Sequence, residues 1–156
     1  MTNKIVLGLL FCLVMACKSD PTSDLVDLDL MEYGVPIKIK APADAEVKTQ
    51  DMVVMKDVTV KKDDYYIQLL YSDAMTHDPV KALETHRATV EQAPFFSKMM
   101  QEDEHGFIYE KKIDEENINY DFRFVKIRAG KEYLFQTGLI GKYSIEQVQK
   151  MYQAVQ

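Results

Sequence analysis

Residues 118–139 read Ile118-Asn119-Tyr120-Asp121-Phe122-Arg123-Phe124-Val125-Lys126-Ile127-Arg128-Ala129-Gly130-Lys131-Glu132-Tyr133-Leu134-Phe135-Gln136-Thr137-Gly138-Leu139. In the first half Ile118, Tyr120, Phe122 and Phe124 alternate with Asn119, Asp121 and Arg123, and in the second Tyr133, Phe135, Thr137 and Leu139 keep the same beat. A period of two marks strands, because successive side chains of an extended chain point to opposite faces. Ala129-Gly130 between the halves is a hairpin signal, so the two strands are antiparallel neighbours.

Working upstream, Gly106 opens a strand over Phe107 to Ile113, and Asp114-Glu115-Glu116-Asn117 turns the chain into Ile118. Downstream, Ser144 and Gln147 stand at capping-box spacing, and Ile145, Val148, Tyr152 and Val155 line one face of a closing helix. Nearer the N-terminus, Val35, Ile37 and Ile39 alternate with polar or cyclic residues until Pro42. Met52 to Val60 reads as a second strand, and Tyr65, Ile67, Leu69 and Tyr71 mark a third after the charged turn Lys62-Asp63-Asp64. Asp78-Pro79 reads as an N-cap followed by proline at the first helical position. Val80, Leu83, Arg87 and Val90 then share one helical face until Pro94 stops it. Phe95, Phe96, Met99 and Met100 follow at three-to-four spacing, the pattern of a short additional helix, before a polar loop from Gln101 to His105.

The expected order is therefore βββα-βββα: an α+β domain with a mostly antiparallel sheet of about six strands and two main helices packed on it. Over residues 35–155 this layout resembles the PsbP-like family. That resemblance implies a sheet with helices packed against it and an accessory or assembly role at a membrane.

The N-terminus carries a different message. Lys4 precedes an uncharged apolar run from Ile5 to Met15, about eleven residues long, too short for a spanning helix of roughly 20 but suited to a signal peptide. The run closes on Leu13-Val14-Met15-Ala16-Cys17, which resembles the lipobox of bacterial lipoproteins, with Met15 where a smaller residue is usual. That resemblance implies cleavage between Ala16 and Cys17 and lipid, palmitate included, on Cys17. The expected organisation is a signal peptide at 1–16, a lipidated N-terminus and tether at 17–32, and a single domain at 33–156. The polar stretch after Cys17 would be a flexible tether of about 14 residues with a reach of roughly 20 Å, whereas Leu25, Leu28 and Leu30 could instead dock as a leading strand or turn. Lys18, rather than Asp, after the cysteine points to the outer membrane.

Cleavage removes Lys4 from the 19 basic residues and none of the 25 acidic ones, so the formal net charge moves from −6 to about −7. Basic residues stand singly or in pairs among acids, and nucleic acid is not an expected partner. Both cysteines, Cys12 and Cys17, fall in the leader and lipobox, so a mature chain has no intrachain disulfide.

Chemistry-bearing residues are sparse. His77 lies between Asp73 and Asp78, yet no pair has metal-ligand spacing, and neither metal nor another cofactor is expected. The methionines are dispersed over strands and helices, which fits core filling better than copper ligation. No Gly-x-Ser-x-Gly elbow occurs, and Gly138-Leu139-Ile140-Gly141 lacks the Lys of a phosphate loop. The acid runs Glu102-Asp103-Glu104 and Asp114-Glu115-Glu116 belong to turns, where a cell-wall hydrolase would need two carboxylates across a cleft. Asn119, Asp121, Arg123 and Gln136 form the most coherent polar set, on the face opposite Tyr120 and Phe122, either as an interaction face or as a solvated sheet face with a cross-strand ion pair. The expectation is a non-catalytic envelope lipoprotein that works through a protein partner. The alternative is small-ligand binding in a pocket between sheet and helices.

Overall fold

The computed structural model describes residues 20–156, so the signal-peptide run, Ala16 and Cys17 lie outside the described residues. The elements are β1 (Val26–Asp29), β2 (Lys38–Ala41), β3 (Glu46–Asp51), β4 (Met55–Lys62), β5 (Tyr65–Asp73), α1 (Pro79–Glu91), β6 (Phe96–Glu102), β7 (Gly106–Lys112), β8 (Ile118–Arg128), β9 (Lys131–Thr137) and α2 (Ile145–Ala154). The fold is α+β. Seven strands form one sheet in the order β3-β4-β5-β9-β8-β7-β6, β1 pairs with β2 in a separate ribbon, and every pairing is antiparallel.

The central hairpin β8–β9 forms as its alternation requires, closed by Ala129 and Gly130 at φ 51° and 73°. β5 joins β9, with Leu69 opposite Phe135, so the two halves of the chain meet in mid-sheet. Helix α1 starts as its sequence dictates, Asp78 accepting the N–H groups of Val80 and Lys81 at 3.0 and 3.4 Å. Helix α2 carries the full capping box between Ser144 and Gln147.

Three departures from the expected order have physical causes. The sheet has seven strands rather than about six: the first expected strand, at Val35 to Ile39, belongs as β2 to the separate ribbon, while β3 and β6 join the sheet, and β3, Glu46-Val47-Lys48-Thr49-Gln50-Asp51, is an edge strand with only Val47 half-buried. An edge strand with both faces largely wet carries no apolar alternation. The short helix expected at Phe95–Met100 is strand β6. Register shifts between Phe96 and Lys98 and between Met99 and Gln101 put Phe96 and Met99 on one face at helix-like spacing. The third departure is β1, which takes the stretch after Asp20 into the fold: Thr22 and Leu30 are buried, and Leu30 bonds Ile37, Tyr33 and Val35 through its backbone. Leu25, Leu28 and Leu30 dock as a leading strand and turn because together they cover apolar surface on β2 and the sheet.

The sheet buries both faces. On one, α2 and the β1–β2 ribbon cover Val58, Val60, Ile67, Leu69, Ile108, Phe122, Phe124 and Phe135. Tyr152 of α2 meets Phe122 and Phe124 edge-on at 5.7 and 5.5 Å between centroids. A Cβ on Gly106 would lie 2.4 Å from the Arg123 carbonyl oxygen and 2.7 Å from the Tyr152 hydroxyl, so only glycine lets β7 pass here. On the other face, Ala82, Leu83 and Val90 of α1 pack on Phe107, Tyr109, Val125 and Leu134.

Strand directions sort the loops into two ends. At the N-terminal end lie Asp20–Asp24, the β4–β5 turn, the β7–β8 turn and the β9–α2 loop, brought together by the pairs Lys62 with Tyr65, Ile67 with Thr137, and Lys112 with Ile118. Asp24 joins them through Lys150 of α2 at 2.6 Å. At the far end lie a 3-10 turn (Met31–Tyr33), the β3–β4 turn, the β5–α1 connection and the β8–β9 turn. Among the described residues no helix is long and apolar enough to cross a membrane.

Candidate functional site

The polar set chosen from alternation does not stay together. Asp121, on β8 near the point where its ladder with β9 begins, is 6% exposed and bridges the two strands with its carboxylate. Its Oδ1 accepts the N–H of Phe122 at 2.8 Å, the N–H of Thr137 at 3.1 Å and the Thr137 hydroxyl at 2.6 Å. Its Oδ2 accepts from the Tyr109 hydroxyl at 2.8 Å and Lys111 Nζ at 3.1 Å, while Arg123 stands 3.2 Å from Oδ1. Burial alone would raise this carboxyl's pKa, but the Arg123 and Lys111 charges and the bonds from Thr137 and Tyr109 outweigh it and hold it below the usual range. The neighbouring Tyr109 phenol is pushed up by its burial and by the Asp121 charge. Arg123 donates to the Phe122 carbonyl at 2.8 Å and lies 5.4 Å from the Tyr109 ring centre.

Gln136 belongs to a separate chain of bonds. Its Nε2 donates to Gln68 Oε1 at 2.7 Å, and Gln68 Nε2 donates to Asp57 Oδ2 at 2.6 Å, which links β9, β5 and β4 across the same face. Asp57 Oδ1 at the end of that chain is buried without a hydrogen-bond partner. Asn119 does neither job. Its Oδ1 accepts the N–H of Tyr120 at 3.0 Å and of Tyr143 at 2.7 Å, and its Nδ2 donates to the Gly141 carbonyl at 3.2 Å, pinning the β9–α2 loop to β8. Asp121, Arg123, Gln136 and Asn119 thus bond to their own chain. Alternation put them on one strand pair; it gave no sign of Tyr109, Lys111 and Thr137, which complete the Asp121 set by pairing register.

The two acid runs lie at opposite ends of the sheet. Asp103 accepts the N–H of His105 and Gly106 and the Tyr152 hydroxyl, the last at 2.6 Å. Asp114 accepts the N–H of Glu116 and of Asn117, both at 2.9 Å, as a turn former. At the N-terminal end an open hollow of about 300 Å³ lies between the β4–β5 turn and α2. Both lysines in its lining are paired, Lys62 with Asp44 at 2.6 Å and Lys150 with Asp24 at 2.6 Å, and the Gln147 amide donates to Asp64 at 2.7 Å. The lysine bonds hold Asp24 and Asp44 below the ordinary carboxylate range. Between sheet and α2, Val148, Met151, Tyr152, Phe122 and Phe124 are buried in one apolar cluster.

The exposed apolar side chains are more suggestive. At the far end, the β3–β4 turn displays Met52, Val53 and Val54 at 44%, 103% and 70% exposure, with Met31 and Met75 at 61% and 100%. Lys56 holds this tip in place, bonding the Tyr33 carbonyl at 3.3 Å and pairing with Asp51 at 3.0 Å. The Ala74 N–H donates to the Gly130 carbonyl at 2.9 Å, which keeps Met75 next to the β8–β9 turn at the same end. Core filling therefore describes Met151 but not Met52, Met75 or Met100, which are exposed. Soluble chains seldom hold such groups out in one place without a use. A run of exposed Met-Val-Val in a turn is visible in sequence, but it reads equally as a buried strand start.

The molecule is an α+β domain whose polar residues are largely spent on its own architecture and whose two ends carry exposed apolar turns. Comparison with protein-family models, with curated proteins and with solved structures returns no match for the chain.

Proposed function

We propose that this chain is a lipid-anchored envelope protein, held by Cys17 in the outer membrane, whose domain serves a non-catalytic accessory role by gripping another envelope protein with its far end. The observation that carries the reading is polarity of the fold: the chain runs toward Cys17 from one end, and Met31, Met52, Val53, Val54 and Met75 stand exposed at the other. Methionine and valine on turns suit a partner with an apolar groove, since thioether side chains adapt their shape at little cost. In this reading Asp121 and its partners are a rigid frame rather than the contact surface. An antiparallel sheet with helices on it is the layout that a resemblance to the PsbP-like family implies, and by analogy alone that family's accessory role at a membrane supports the reading.

The test is a photo-crosslinking residue at Val53 in the native membrane, compared with one at Thr85 on the exposed side of α1. A discrete protein adduct at Val53, identified by mass spectrometry and lost when Met52 and Val54 are changed to Asp, is the expected result. Equal labelling at both positions, or adducts with lipid alone at Val53, would overturn the proposal.

A further inference from the structure

We propose that the β9–α2 loop is a second, non-covalent membrane contact, with Leu139 and Ile140 seated in the lipid surface beside the anchor. The inference rests on the lipid-anchor reading and adds an orientation to it. Leu139 and Ile140 are 78% and 85% exposed, although they are adjacent aliphatic residues at the tip of a loop. The loop is held rather than loose: Gly138 N–H donates to the Tyr66 carbonyl at 2.8 Å, Asn119 brackets Gly141 and Tyr143, and the Tyr143 hydroxyl donates to the Ile140 carbonyl at 3.1 Å. Such bracing presents the two side chains outward in a fixed direction.

That direction is the one a tether from Cys17 imposes. The carboxylate of Asp20, the first described residue, accepts the N–H and hydroxyl of buried Thr22 at 2.9 and 2.8 Å, and Asp24 is tied to Lys150. Three residue steps from Cys17 to Asp20 span at most ~10 Å, so a lipid on Cys17 brings the bilayer surface against this end of the domain. Leu139 and Ile140 project from the same end, as do Ile113 at 59% and Phe95 at 49% exposure. Two aliphatic side chains present roughly 300 Å², well under the ~800 Å² per partner of a stable protein interface, but tethering supplies the effective concentration that a small lipid contact lacks. Lys142, two residues on, has its charge beside Asp114 of the neighbouring turn. Asp114, Glu115 and Glu116 in the neighbouring turn keep the contact shallow and favour zwitterionic over anionic lipid.

The chain contains no tryptophan, so single indole reporters are unambiguous. Full-length protein purified from membranes is reconstituted into phosphatidylcholine vesicles with brominated acyl chains, carrying Leu139→Trp, Ile140→Trp or, at the far end, Val53→Trp. Flotation with the vesicles, together with a blue shift and loss of most emission for Leu139→Trp or Ile140→Trp but water-like emission for Val53→Trp, is expected. If the protein floats and neither loop indole is quenched, the seat is overturned while the anchor stands. If it does not float, the anchor is overturned and the seat with it.

Discussion

Replacing Asp121 with alanine should be among the most damaging single changes in the domain. The substitution strands six donors: the N–H groups of Phe122 and Thr137, the hydroxyls of Thr137 and Tyr109, Lys111 and Arg123. The hydroxyls can turn to other acceptors, and Lys111, with 30% of its side chain exposed, can reach water. The two N–H groups and the Arg123 guanidinium, at 17% exposure, cannot do so easily. Each unsatisfied buried N–H costs about 1–3 kcal/mol, and breaking a buried charged pair costs about 3–5 kcal/mol in all, so the expected loss is on the order of 4 kcal/mol. With a urea slope of about 2 kcal/mol per molar, the unfolding midpoint should fall by roughly 2 M. Asp121→Asn, which keeps one acceptor oxygen, should lose about half as much on the same reasoning about net and unpaired hydrogen bonds. The pH dependence follows from the depressed carboxyl: its contribution is complete above the unfolded value near 3.8 and is lost as pH falls through the lower folded value. The difference between wild type and Asp121→Asn should therefore be constant above about pH 5 and shrink in stronger acid. A midpoint shift below roughly 0.5 M for Asp121→Ala, read by far-ultraviolet circular dichroism, would refute the account of this carboxylate as the bridge between β8 and β9.

Other consequences can be checked alongside. Gly106→Ala drives a methyl into the Arg123 carbonyl and the Tyr152 hydroxyl and should lower stability by about 2 kcal/mol or more, measured as a fall in Tm, since overpacking a filled core costs of that order. Tyr152→Ala should cost about 3–5 kcal/mol through the cavity left between Phe122 and Phe124, whereas Tyr152→Phe, losing only the Asp103 bond, should cost about 1 kcal/mol in the same denaturation assay. Asn119→Ala removes the two bonds from β8 to Gly141 and Tyr143 and should expose residues 139–142 to limited proteolysis before the rest of the domain. Met52→Asp with Val54→Asp should leave Tm within about 1 °C of wild type, since both side chains are exposed, while abolishing partner crosslinking at Val53.

Where a strand carries large apolar side chains at every second position, alternation makes the fold legible even though both faces are covered: β5, β8 and β9 read directly, as do both helices from Asp78-Pro79 and the Ser144 capping box. The misses share a different cause. β3 buries almost nothing, so its composition carries no periodic signal, and in β6 two register shifts turn a period of two into the spacing of a helix. For the candidate site, parity put Asp121, Arg123 and Gln136 on one face. Their burial depends on partners from other strands: Tyr109 and Lys111 on the preceding β7, and Gln68 on β5 and Asp57 on β4, far off in sequence. Such pairing is a property of register, which a single sequence leaves open until turn lengths are known. The far-end tip escaped for the opposite reason. Met52 to Val54 have the composition of a strand interior, and only the hairpin closure between Met52 and Met55 turns them outward.

The central claim, that the domain is tethered through one sulfur, is tested most directly by mass spectrometry of the N-terminal peptide from membrane-purified protein. The account predicts a peptide that begins at Cys17 and carries a diacylglyceryl thioether with palmitate among its acyl chains. A peptide with a free Cys17 thiol, or one that still carries Ala16 ahead of it, would contradict the account.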